Sequence, residues 1–144
     1  VVLDRLFIDV GFVHVPTATR AETRRYLDAL LETAKTQVRQ PLLMAGDFNT
    51  GKDPIDGDLR KFGFTGHFEA LQACGFVDVW RHFHGQRSET TCSVQGKNYR
   101  LDHVLASPAA LNRIVSCSYS HLEREESISD HSALLIEVRG QSKS

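Results

Sequence analysis

Three short acidic motifs follow one another along this chain: Gly46-Asp47-Phe48-Asn49, Arg100-Leu101-Asp102-His103 and Ser129-Asp130-His131. Each closes or lies within a run that reads as a β-strand, so a sheet can bring all three to one edge. Gathered there, three carboxylates, a carboxamide and an imidazole suit metal-assisted hydrolysis of a phosphate ester. An Asp at the carboxyl end of a buried strand can hold or deprotonate a water. Asn49, two residues on, can donate its amide to a developing phosphorane oxygen. The same residues also fit an Asx-turn, where Asn is favoured for backbone reasons.

Asp102 poses a sharper question, because carboxylates are depleted in the middle of strands and need a partner there. Alternation puts it on one face with Arg100, Val104 and Ala106. Pairing with Arg100 and orienting an imidazole are both open to it. His131, beside Asp130 at a strand start, can act as an acid or electrophilic donor whose tautomer a carboxylate fixes. An Asp-His pair can equally mark a surface turn. His14, in Phe12-Val13-His14-Val15-Pro16, reads from its apolar neighbours as a hydrogen-bonded structural residue. His67, His82, His84, His103 and His121 have no supporting spacing and read as structural or solvated.

The elements that must position these groups can be outlined from patterning. Leu6 to Val15 is rich in β-branched and aromatic residues and runs into Pro16, as a strand entering a loop does. Thr19-Arg20-Ala21-Glu22 fits a capping box, and Leu27, Leu30, Leu31, Ala34 and Val38 recur on one helical face. Pro41 stops that helix and opens the strand Leu42 to Ala45, apolar throughout as a doubly covered strand is. Residues 50–64 read as loop, 66–74 as a helix ended by Gly75, and Phe76 to Trp80 as an extended segment. The stretch 84–98 reads as polar loop and Tyr99 to Ala106 as a strand. Ser107-Pro108 opens a brief helix. Strands follow over 113–121 and 132–139, joined by a solvated charged loop, Glu123-Arg124-Glu125-Glu126. This order, β-α-β-α-β-β-α-β-β, favours a layered α/β or α+β fold. Residues 1–140 read as one domain, with a tail at 141–144.

Bulk properties narrow the field. The 144 residues suffice for one ordinary core. No apolar run reaches a membrane span, and no segment resembles a secretory signal. A net charge of −1 argues against coating nucleic acid non-specifically, though not against gripping a few phosphates. Cys74, Cys92 and Cys117 are odd in number and lack CxxC spacing, so they read as core residues of a reducing, cytoplasmic compartment.

In this order the motifs resemble those of the endonuclease/exonuclease/phosphatase superfamily. That group contains exonuclease III-like abasic-site endonucleases, deoxyribonuclease I, sphingomyelinases and inositol polyphosphate phosphatases. The collinear stretch runs from Val13 to Val138 and includes His14-Val15-Pro16, Pro41 to Asn49, Gly75 to Arg81, Arg100 to Ser107 and Ser129-Asp130-His131. The resemblance implies the C-terminal half of a four-layer deoxyribonuclease I-like sandwich, with one mainly antiparallel or mixed sheet and flanking helices. It also implies roles. Asp47 would orient or deprotonate the attacking water, Asn49 would help stabilise the transition state, and Asp102 would hold and polarise His131 against the scissile phosphate. His14 falls where relatives place a His or Tyr that contacts phosphate. Asp47, Asn49 and Asp130 would serve a Mg²⁺ or Mn²⁺ ion.

The chain departs from the family pattern twice. The resemblance places the N-terminal half, which supplies a Glu metal ligand, outside the collinear stretch, and no segment before His14 is expected to replace that Glu. A sheet face would then be left for that half or for a second copy to cover. The segment Thr90 to Asn98 is also short and lacks Trp, unlike the aromatic-rich stretch of abasic-site enzymes. Nucleic acid is the expected substrate, with a lipid or small-molecule phosphodiester, or an inactive binding module, as alternatives.

Overall fold

The computed structural model describes residues 7–58 and 62–139. Leu6 and the tail 141–144 lie outside these described residues. The chain opens with β1 (Asp9–His14) and then α1 (Arg20–Gln37). Thr19 caps that helix as its sequence predicts: its hydroxyl accepts from the Glu22 N–H at 3.1 Å and donates to the Glu22 carboxylate at 2.9 Å. Leu27 and Ala34 are buried, with Leu30, Leu31 and Val38 packed beside them.

Next come β2 (Leu42–Asp47), α2 (Thr65–Ala73) and β3 (Val77–Asp78). They are followed by α3 (Val79–His84), β4 (Cys92–Val94), β5 (Lys97–Tyr99) and β6 (Asp102–Ala106). The chain closes with α4 (Pro108–Leu111), β7 (Ile114–Ser120), α5 (Leu122–Glu125) and β8 (Ala133–Val138). The main sheet has the order β1-β2-β6-β3, with β1 parallel to β2 and β6 antiparallel to both its neighbours. The β4–β5 and β7–β8 pairs form two antiparallel ribbons.

One face of the main sheet packs on α1 and α2 through Val13, Met44, Leu105, Leu27, Phe68 and Leu71. The other packs on the β7–β8 ribbon through Leu43, Val104, Ala106, Ile114 and Cys117, with Tyr119 and Ile136 alongside. The result is the mixed α/β arrangement of sheets and flanking helices that the motif order implies. At the sheet edge, on the ribbon side, Phe12 is 88% exposed and Val10 48%.

Three local expectations need correction. Val79 and Trp80 start a helix instead of extending a strand, because Asp78 caps it by accepting from the Arg81 N–H at 3.1 Å. The supposed loop 84–98 contains the end of α3 and the β4–β5 hairpin. Gln95 (φ 51°) and Gly96 (φ 75°) turn that hairpin with the positive φ values a two-residue turn requires. Finally, the charged run Glu123 to Glu126 is not all loop, since Leu122–Glu125 coils into one helical turn.

Candidate active site

Strand register builds the site. His14 pairs with Asp47 across β1 and β2, and Asp47 pairs with Asp102 across β2 and β6. Directly opposed residues share a sheet face, so these three side chains form one row across three strands. The adjacent same-face row, Phe12, Ala45 and Val104, is apolar. Between the two rows lies Gly46 at φ 142°, where a Cβ would sit 2.0 Å from the Val13 carbonyl oxygen. Only glycine permits this approach of β1 and β2.

Asp47 and Asn49 form a tight turn at the end of β2. Asp47 Oδ1 accepts from the Asn49 N–H at 2.8 Å, the Asx-turn geometry, and Asn49 sits at φ 48°. The Asn49 amide also donates to the Val15 carbonyl at 2.8 Å and to Asp47 Oδ2 at 3.1 Å. Both of its hydrogens are therefore engaged, which leaves the carboxamide oxygen as its open end. Burial pushes the Asp47 pKa above its ordinary value; the Asn49 N–H works against that rise, and the nearby Asp102 charge adds to it.

Asp102 turns away from Arg100 and meets His131, whose Nδ1 lies 2.8 Å from Asp102 Oδ2. A carboxylate only accepts, so Nδ1 carries the hydrogen and Nε2 is the nitrogen directed elsewhere. Burial disfavours the charged imidazole, but the Asp102 hydrogen bond and the charges of Asp102, Asp47 and Asp130 outweigh it and raise the His131 pKa. The His131 N–H is held by Ser129 Oγ at 3.0 Å, and Asp130 is exposed. Thus His14, Asp47, Asn49, Asp102 and His131 converge on one end of the sheet, with Asp130 beside them.

Arg100, offered by the sequence as a partner for Asp102, does not take that role. It is fully buried and bonds Asp56 through Nε at 2.8 Å and Asp78 through Nη2 at 2.5 Å. His103 Nδ1 lies 3.7 Å from the same Asp78 carboxylate, and its Nε2 donates to the Thr50 carbonyl at 2.9 Å. Asp56, Asp78 and His103 bring ligand atoms within 4.8 Å of one another, a spacing that could hold a metal ion. The Arg100 guanidinium already supplies the cation to both carboxylates, so this group reads as a buried ion network beneath the site.

Arg81 is also tied down, bonded to Asp56 and to the carbonyls of Ile55, Gly85 and Arg87. Lys52, Arg87 and Lys97 are exposed. A groove of about 510 Å³ opens beside Asp130, lined by Ser93, Arg124, Glu125, Ser127 and Ser129. Among the described residues, no helix is long and apolar enough to cross a membrane.

The family model for the Endonuclease/Exonuclease/phosphatase family matches residues 1–131. The chain belongs to the endonuclease/exonuclease/phosphatase family. It is 28% identical over 151 residues to an exodeoxyribonuclease of Streptococcus pneumoniae, an alignment covering 88% of this chain and 54% of that relative. The chain thus spans about half the length of the curated relatives it matches. An AP endonuclease from Archaeoglobus fulgidus superposes with a TM-score of 0.80 at 24% identity, covering 91% of this chain and 61% of that one. A 3′ phosphatase from Neisseria, bound to a product DNA hairpin, superposes at 0.79 with 20% identity and the same 91% and 61% coverage. Likeness at these identities establishes the shared fold.

Within this endonuclease/exonuclease/phosphatase fold, two residues that support the site gave no signal in the sequence. The Thr91 hydroxyl, wholly buried, accepts from the N–H groups of Leu101 and Asp102 at 3.0 and 3.3 Å. Tyr119 donates its hydroxyl to the Asp102 carbonyl at 2.5 Å. Neither lies in a motif, and contacts 10 and 17 residues apart leave no periodic trace in the sequence.

Proposed function

We propose that this chain is the C-terminal portion of a divalent-metal-dependent phosphodiester hydrolase acting on nucleic acid. The observation that carries the reading is the single row His14, Asp47 and Asp102, continued through the 2.8 Å hydrogen bond to His131. In that arrangement Asp47 takes a proton from, or orients, the attacking water. Asp102 fixes the His131 tautomer, so that Nε2 faces the phosphate and stabilises its developing charge. His14, exposed at the edge of the row, contacts the phosphate or the leaving group.

The donor set suits a hard cation. Asp47, Asn49 and Asp130 all offer oxygen, and Asn49 has only its oxygen left to give. These residues would hold Mg²⁺ or Mn²⁺, whose charge supplies Lewis-acid neutralisation at the phosphoryl oxygens and leaving group. These three donors would leave room for water, substrate and a further carboxylate around such an ion.

Nucleic acid is favoured as substrate by the relatives, an exodeoxyribonuclease and structural neighbours named for acting on or binding DNA. The hairpin Cys92–Tyr99 lacks a Trp that could stack in a damaged duplex, which argues for a general diester substrate over an abasic site. The exposed Phe12 and Val10 call for a cover, either the rest of the family domain or a second copy of this chain. Three free cysteines fit a cytoplasmic setting.

Hydrolysis of bis-p-nitrophenyl phosphate and of plasmid DNA with Mg²⁺ or Mn²⁺ tests the reading, with Asp47→Ala as control. Activity that the substitution abolishes is the expected result. A folded chain that hydrolyses neither substrate, even with the rest of the family domain supplied, would overturn it in favour of a binding module.

A further inference from the structure

Both members of the Asp102–His131 pair are braced from one place, the carboxyl end of β7. Tyr119, on that strand, donates to the Asp102 carbonyl at 2.5 Å. His121, two residues further on, places Nδ1 2.8 Å from the hydroxyl of Ser132, the residue immediately after His131. The two rings lie nearly parallel, their centroids 6.5 Å apart and their planes inclined by 24°. Behind His121 stands Glu89, with Oε1 3.3 Å from Nε2.

Glu89 is itself anchored, since the same oxygen accepts from the Thr90 N–H at 2.8 Å. Thr91, the next residue, joins the two halves of the pair. Its hydroxyl receives the Asp102 N–H, and its carbonyl receives the Ser132 N–H at 2.8 Å. Ser132 is therefore gripped by its main chain and by its side chain, within one residue of the imidazole.

We propose that His121, backed by Glu89 and acting through Ser132, is a positioning residue that sets the placement of His131 on Asp102. This inference rests on the reading of Asp102 and His131 as the site's carboxylate–imidazole pair. A Ser, a His and a Glu in sequence could also describe a nucleophile with its base. Burial decides against that: Ser132 is only 5% exposed, so its hydroxyl has no path to a substrate. The hydroxyl instead anchors the main chain next to His131 to the His121 imidazole. Such anchoring matters because a displacement of about 1 Å at a reacting group can cost on the order of 10²-fold in rate.

The test is made on the full chain without metal, by ¹⁵N-edited NMR of the His131 Nδ1–H, identified by its loss in Asp102→Asn. In His121→Ala this hydrogen should exchange with water at least about 10-fold faster, with the melting temperature little changed. His121→Gln, which can still bridge Ser132 and Glu89, should restore slow exchange. With Mn²⁺ and bis-p-nitrophenyl phosphate, His121→Ala should lower kcat by about 10-fold or more, the usual cost of losing an outer support, and leave KM within twofold. Unchanged exchange in a folded His121→Ala would overturn the proposal. If that variant does not fold, Glu89→Gln carries the same test: faster exchange supports the proposal and unchanged exchange overturns it. A wild-type chain that stays inactive even with the rest of the family domain supplied would count against the phosphodiesterase reading alone, because the exchange measurement stands without turnover.

Discussion

Arg100 and Asp78 meet wholly inside the protein, with guanidinium nitrogens 2.5 and 3.3 Å from the two carboxylate oxygens. Asp56 closes the other side of the guanidinium at 2.8 and 3.2 Å, and Trp80 lies beneath it at 5.2 Å. Removing the cation would strand the buried Asp78 carboxylate and leave Asp56 with Arg81 as its remaining cation. Arg100→Met should therefore cost about 3–5 kcal/mol in urea unfolding, the range for breaking a buried pair. Arg100→Lys should recover little, because an ammonium cannot serve two carboxylates in the same planar fork. A loss below about 1 kcal/mol in Arg100→Met would show that the network is not structural.

The same network sets acid sensitivity. Burial alone would raise the Asp78 pKa, but the adjoining His103 and the Arg100 charge reverse the sign and hold it well below the ordinary carboxylate value. The folded pKa is thus depressed relative to the unfolded chain. Its stabilisation is complete above about pH 4 and is lost as pH falls from there through the folded value. Unfolding free energy measured between pH 7 and 2 should decline below that point, and Asp78→Asn should flatten the decline. An acid slope unaltered in the variant would assign the sensitivity to other groups.

Asp102→Asn separates chemistry from folding. The amide nearly matches the carboxylate in size, yet it cannot keep the His131 Nδ1–H oriented with the same charge. Turnover of bis-p-nitrophenyl phosphate should fall by on the order of 10²-fold or more, with a melting temperature within a few degrees of wild type. Full activity in the variant would remove His131 from the mechanism.

Asp47 predicts a metal response. Burial and the nearby Asp102 charge raise its pKa, so the folded state disfavours its ionised form. A divalent cation held there offsets that. Mn²⁺ at about 100 times its dissociation constant should stabilise the fold by about 2.7 kcal/mol, or roughly 5–10 °C in melting temperature for a chain of this size. Asp47→Asn should melt no lower than wild type without metal and should show no Mn²⁺ shift. An equal shift in both proteins would place the ion elsewhere.

The parts legible in the sequence are those encoded locally. The Thr19 cap, the apolar face of α1 and the all-apolar β2 are written within a few residues of one another, and all formed as read. The acidic motifs were legible because each sits at or in a strand whose direction follows from its neighbours. The partners of Arg100 were not, since Asp56 and Asp78 lie 44 and 22 residues away and their choice over Asp102 depends on how the sheet packs. The β4–β5 hairpin was hidden for another reason. Its turn is Gln95-Gly96 rather than Asn-Gly, and its strands are three residues each, too short for alternation to register. His121 gave no sign at all, because its value lies in a serine 11 residues later.

One of the two inner strands of the main sheet, β6, is also the last of its four to be synthesised. β6 lies between β2 and β3, both of which precede it in the chain. As the polypeptide leaves the ribosome, β2 can pair with β1 at once, yet its other edge stays open until Asp102–Ala106 emerges, on the order of seconds later. During that interval an apolar strand presents free N–H and C=O groups to whatever lies nearby. The strand that completes the row of candidate site residues is therefore the same one that ends this exposure, so a nascent chain stalled before β6 would lack that row and be prone to adhere to its neighbours.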